Sequence, residues 1–264
     1  MKKQISPTVV MEFDDVGQGI PLVLLHAYPL SAAMWRPQAA ALRDVCRVIT
    51  PDLRGLGGTS GFEGPPSIEQ MADDVHALLD QLKVHESIVL GGLSMGGYVS
   101  FAFARKYANR LRALVLADTR VEADNAEGKA NRDKAIAFAE QHTALEVIEQ
   151  MIPKALAPDT LKHRPEIAEE VRRIVAPQSR AGIVGALRAM RDRPDSTPLL
   201  AKITVPTLVI VGSEDAMTVP SMSETIAAGI KGSRLEIIPG AGHMSNLEKP
   251  DLFNSVVLSF LQSL

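Results

Sequence analysis

The chain has 264 residues, 46% of them hydrophobic and 22% charged, enough apolar material for one sizeable globular core. With 28 Lys and Arg against 31 Asp and Glu, and no dense basic cluster, the balance argues against a nucleic-acid partner or an anionic membrane surface. The single cysteine, Cys46, excludes an internal disulfide and reads as a small buried hydrophobe within "CRVIT".

The N-terminal "MKKQISPTVVMEFDD" opens on two lysines, but its apolar run stops too soon for a signal-peptide core. No later stretch is long enough to span a bilayer, so the cytoplasm is the expected compartment. "TVVMEF" (8–13) predicts a first strand and "LVLLHA" (22–27) a second, followed by a helix over "AAMWRPQAAAL" and a strand over "CRVITPD". A helix follows over 68–82, where Ser67 suits the N-cap and Gln70 a capping box. "SIVLGG" then predicts a strand, "MGGYVSFAFARKYA" a helix and "LRALVLAD" a strand. Continuous apolar strands alternating with helices imply a parallel sheet buried on both faces and doubly wound.

The pattern then changes. Residues 120–196 hold no strand-like run and predict a string of short helices broken by Pro153, Pro158, Pro165, Pro177 and Pro194. "ITVPTLVIVGSED" and "SRLEIIPGAGH" resume the strands, and an amphipathic helix with Pro250 in its first turn closes the chain. The expected organisation is a core of residues 1–119 and 197–264, with 120–196 inserted before the last two strands.

Within "SIVLGGLSMGGYVS", Gly92, Ser94 and Gly96 spell G-x-S-x-G between a strand and a helix. Such a corner forces the serine into a strained backbone and leaves no room for side chains on its flanking glycines. The new helix also turns its positive end toward the hydroxyl. A P-loop would need Lys after the last glycine, and a dinucleotide fingerprint would need G-x-G-x-x-G; neither is present. Serine is a weak nucleophile unless a histidine takes its proton and a carboxylate orients that histidine. Asp215 and His243 both stand just after late strands, with Glu214 and Asp118 as rival acids. His76, His85, His142 and His163 read as solvated, and His26 as a structural hydrogen-bonding residue.

On "HAYPLSAAMW", "PDLRGLGGTS", "GLSMGGY", "VGSEDAMTVP" and "GAGHMSNLEKP" the chain resembles, over nearly its full length, the α/β-hydrolase superfamily, in particular its esterase, lactonase and perhydrolase branch. The resemblance implies Ser94 as nucleophile, Asp215 as acid and His243 as base. It also implies an oxyanion hole from the backbone N–H groups of Tyr28 and Met95, and a helical cap over 120–196. Ala27 stands where the family usually has glycine. The implied pocket is largely apolar, lined by Tyr28, Met95 and cap residues, with Met34 and Trp35 beneath the oxyanion loop and 52–58 shaping its floor. The chemistry needs no cofactor and no metal, and its partner is a small ester or lactone. An enol-lactonase-like dianionic substrate would want a cation at the cap, for which Arg120, Arg188 and Arg191 are the candidates. From another class, a small-ligand receptor that keeps a hydrolase-like pocket stays open, as does a homo-oligomer.

Overall fold

A computed structural model describes all residues 1–264. Eight strands form one sheet: β1 (Lys2–Gln4), β2 (Val10–Val16), β3 (Ile20–Leu25), β4 (Cys46–Pro51), β5 (Ile88–Leu93), β6 (Leu111–Ala117), β7 (Thr207–Gly212) and β8 (Arg234–Ile238). Their order is β1-β2-β4-β3-β5-β6-β7-β8, antiparallel at β1–β2 and β2–β4 and parallel everywhere else. Strands β5 and β7 are buried along their whole length and β3 nearly so, because helices cover both faces. β1 has no counterpart in the sequence reading: its three residues are all exposed, so backbone pairing alone holds it and no hydrophobic alternation marks it.

Helices α1 (Arg36–Leu42), α2 (Ile68–Gln81) and α3 (Met95–Lys106) separate the first strands. α3 is buried from Met95 through Ala104, as befits the helix that follows a central strand and packs on α2. Ser67 caps α2, its Oγ accepting from Gln70 N at 3.1 Å. The expected capping box is only half formed, since the Gln70 side-chain oxygen is buried without a partner.

Between β6 and β7 lie only helices: α4 (Ala126–Ala139), α5 (Ala144–Ala155), α6 (Pro158–His163), α7 (Pro165–Val175), α8 (Arg180–Arg191) and α9 (Thr197–Leu200). A complete capping box does form at the start of α5, between Thr143 and Glu146. Pro153 does not break the run; it sits in the last turns of α5, whereas Pro158 and Pro165 open α6 and α7. α10 (Pro220–Gly229), α11 (Ser245–Glu248) and α12 (Pro250–Leu261) complete the chain, with α1 packed against α11 and α12. No helix is long and apolar enough to cross a membrane.

This order puts the carboxyl ends of β3, β5, β6, β7 and β8 side by side. The residues just past them (Tyr28, Ser94, Asp118, Asp215 and His243) therefore gather at one rim, the usual place for ligands in an open α/β sheet.

Candidate active site

The chain turns from β5 into α3 through one residue. Ser94 takes φ 55° and ψ −112°, a conformation that costs an L-residue about 1–3 kcal/mol. Hydrogen bonds on both sides hold it there: Ser94 N donates to Ala117 O at 3.0 Å, and its carbonyl accepts from Gly97 N at 2.9 Å and Thr119 Oγ1 at 2.8 Å. The flanking glycines are a steric necessity. A Cβ on Gly92 would lie 2.2 Å from Gly96 O, and one on Gly96 would lie 2.1 Å from Leu25 O in β3. Thr119, which tethers the corner, carries no motif that the sequence reading could recognise.

Past β7, the Asp215 carboxylate is buried and fully engaged. Oδ1 accepts from Met217 N and Thr218 N, each at 2.8 Å, and Oδ2 accepts from Thr218 Oγ1 at 2.6 Å. The same Oδ2 lies 2.8 Å from His243 Nδ1, which fixes the imidazole with its proton on Nδ1 and Nε2 free to accept. Burial acts to raise the Asp215 pKa, but the neighbouring His243 and the hydrogen bonds from His243 and Thr218 outweigh it and hold the carboxyl below its ordinary value. Glu214 is exposed and takes no part. Thr218 Oγ1 also lies 3.2 Å from His243 Nδ1, a contact not anticipated from sequence.

Asp118, the other rival acid, is wholly buried at the end of β6 with φ 43°. It accepts from Gly212 N at 2.8 Å and from the Ser245 hydroxyl, joining β6 to β7 and to α11. Burial, reinforced by the negative charge of Asp215, pushes its pKa well above the usual carboxylate value, which suits a neutral tether better than an orienting anion.

The loop after β3 brings the Tyr28 backbone N–H to the same rim. Ala27 needs no positive φ, so its replacement of glycine leaves the backbone unstrained. His26 is structural, as expected: Nε2 accepts from Leu53 N at 2.8 Å and Nδ1 faces Ala27 O at 2.9 Å. The Met34 sulfur lies 3.2 Å from Ala27 N, beneath the loop, while Trp35 packs on Phe253 of α12. Tyr28 N donates to no carbonyl of the protein, and Met95 N, the first of α3, has no carbonyl one turn back within that helix. The 52–58 loop braces this region from behind rather than flooring the site: Asp52 accepts from Ala32 N at 2.7 Å and Gly58 N at 2.8 Å.

Ser94 and His243 line one cavity of about 120 Å³, together with Tyr28, Thr218, Arg120 and Arg132. That is the scale of a cavity that takes up a benzene-sized ligand. Met151, Met190 and Met217 supply apolar wall, whereas the Met95 side chain is fully buried elsewhere. The expectation of a largely apolar pocket is thereby corrected: two guanidiniums face into it. Of the cationic candidates, only Arg120 lines the cavity; Arg188 pairs with Glu140, and Arg191 with Asp133 and Asp192. Arg132, in the charged stretch "GKANRDKA", was missed because that stretch has the pattern of a solvated helix face.

Glu248 was missed as well. Its wholly buried carboxylate accepts from Gly242 N and Ala157 N, each at 2.9 Å, and from Thr160 Oγ1 at 2.6 Å. His243 N donates to Ala155 O at 3.0 Å. The loop that carries the imidazole is thus bonded to the helical segment above it.

The chain matches the model of the alpha/beta hydrolase family over residues 22–256. It is 29% identical to 3-oxoadipate enol-lactonase 2 of Acinetobacter baylyi, covering 89% of this chain and 86% of that one. Among solved structures it is similar to a malate-bound thermophilic esterase from Thermogutta terrifontis, at 40% identity and a TM-score of 0.94, covering 97% and 94% of the two chains. The enol-lactonase from Burkholderia xenovorans superposes with a TM-score of 0.90 at 28% identity, over 98% and 99%.

Proposed function

The chain belongs to the alpha/beta hydrolase family, and on that premise we propose that it hydrolyses small carboxylic esters through an acyl-enzyme on Ser94. The observation that carries this reading is the His243 Nδ1–Asp215 Oδ2 hydrogen bond of 2.8 Å behind a cavity that His243 shares with Ser94. In the first step Ser94 Oγ attacks the ester carbonyl while His243 Nε2 takes the hydroxyl proton, and Asp215 stabilises the imidazolium. The N–H groups of Tyr28 and Met95 receive the oxyanion. His243 then passes its proton to the departing alcohol, and the alcohol leaves. Next, His243 draws a proton from water as that water attacks the acyl-serine, and returns it to Ser94 as the acid departs.

A lactone follows the same steps, its leaving alcohol remaining attached to the acyl group; the likeness to enol-lactonases favours this second reading. Hydrogen peroxide in place of water would give a peracid at the same site. We assign residues 120–196 as a cap, supported by the four side chains it lends to the cavity wall: Arg120, Arg132, Met151 and Met190. Cytoplasmic placement belongs to the same proposal and is checked by cell fractionation.

The test is Ser94→Ala assayed with p-nitrophenyl butyrate. A fall in kcat of about four orders of magnitude is expected, as for the loss of a triad member. Activity within about tenfold of the parent would remove Ser94 from the mechanism.

A further inference from the structure

We propose that Glu248 is a positioning residue for the reaction: its carboxylate bridges the His243 loop and the cap, so that the imidazole is aligned on Ser94 only while the cap is seated. This rests on the ester-hydrolase reading.

Glu248 ends α11, the short helix that follows Met244, and its side chain is wholly buried. That side chain turns back to the loop that carries the base. Oε1 accepts from Gly242 N at 2.9 Å, one residue before His243. Oε2 accepts from Ala157 N at 2.9 Å and from Thr160 Oγ1 at 2.6 Å, at the start of α6. Two further bonds repeat the link: His243 N donates to Ala155 O at 3.0 Å, and Arg164 Nη1 donates to Glu248 O at 2.8 Å. The two segments touch without a gap. A Cβ on Gly242 would lie 2.6 Å from Ala157 N and 2.9 Å from Leu156 C.

The tie is specific to the base. The cap's own buried carboxylate, Asp124, faces Arg120, Arg132 Nε at 3.0 Å and Arg193 Nη1 at 3.0 Å, all within residues 120–196. That knot closes the cap on itself and does not reach residue 243. Asp215 fixes the imidazole through Nδ1 but not the main chain that carries it. On the core side the loop is tied two residues earlier, where Ala241 O accepts from Glu214 N at 2.8 Å. Gly242 and His243 send their own N–H groups to Glu248 and to the cap. The imidazole must come within hydrogen-bond reach of the Ser94 hydroxyl, and a displacement of about 1 Å can cost about 100-fold in rate.

The partners of Glu248 also call for a carboxylate. All three groups that meet it are donors, and no cation pairs with it. An amide accepts on one side and turns its own N–H groups on the donors of the other, so Gln keeps either the loop or the cap.

Glu248→Gln, Thr160→Val and the double variant are compared with the parent on p-nitrophenyl butyrate. Glu248→Gln is expected to lower kcat by about tenfold or more with KM within about twofold, because Glu248 does not line the cavity and acts through the base. Thr160→Val, which removes one bond at the cap end, lowers kcat by about threefold, and by nothing further once Glu248 is replaced. A second measurement needs no turnover. In Ser94→Ala protein the downfield proton resonance of His243 Nδ1–H on Asp215 is expected to shift or broaden with either substitution. Thr160→Ser, which keeps the hydroxyl, returns kcat and the resonance to parent values; with Thr160→Val it carries the test should Glu248→Gln fail to fold. Variants that lower only the unfolding temperature, with kcat and the resonance unmoved, overturn the proposal, and so does a rise in KM at unchanged kcat. Hydrolysis that persists in Ser94→Ala overturns the parent reading instead.

Discussion

On one side of the cavity the Asp215 carboxylate accepts four hydrogen bonds; on the other the Tyr28 hydroxyl makes none and Arg132 keeps two free nitrogens. Both sides abut the same small space, the first through Thr218 and His243, so their placement alone does not explain the contrast. The Asp215 side holds the His243 imidazole in one orientation, and redundant bonds achieve that. The guanidinium side keeps donors that no protein group meets. A buried donor left without an acceptor costs stability rather than adding to it.

Three substitutions probe that contrast. Thr218→Val removes a hydroxyl from the saturated side while keeping the shape. It is expected to lower kcat about tenfold and stability by about 1–2 kcal/mol, read by ester assay and urea denaturation. No change in either would mean that Asp215 and the two backbone N–H groups suffice.

Asp118→Asn tests the neutral tether on the same side through pH. The Asp118 pKa is raised in the folded state by burial and by Asp215, with Glu248 adding to the effect, so the folded protein holds a proton that the unfolded chain releases above the ordinary carboxylate pKa. Its contribution is fully present below the unfolded pKa and is lost as pH rises toward the folded one. Asn keeps the shape of the neutral acid and cannot ionise. The variant should therefore gain stability relative to the parent between pH 5 and pH 8, in denaturation series at the two pH values; a constant difference would show that Asp118 is ionised throughout.

Tyr28→Phe gives the smallest effect. Removing a buried hydroxyl that has no partner should leave stability within about 0.5 kcal/mol of the parent or raise it. A loss as large as that of Thr218→Val would mean that the contrast between the two sides is false.

The legible parts of the molecule were those in which a local motif carries the constraint. Gly92 and Gly96 mark the serine corner because the collisions that exclude a side chain there involve α3 and the adjoining β3, the packing any strand–turn–helix corner of this kind imposes. His26 was legible as structural, and His243 and Asp215 stood out by following late strands. β1 was illegible because an exposed edge strand of three residues leaves no periodic trace. Arg132, Asp124, Thr218 and Glu248 were illegible for another reason. Each is a polar residue whose sequence surroundings suit solvent, and only its tertiary neighbours bury it, Arg132 in part.

What the chain determined by itself is the alternation of strands and helices, the strained serine and the order of the groups that follow it, because backbone sterics and hydrophobic period act between near neighbours. What only the tertiary structure decided is the charge of the cavity. The sign of an electrostatic site depends on which guanidiniums and carboxylates are brought within a few ångströms, and here α4, the residues just after α8 and the segment after β6 meet around a single buried aspartate.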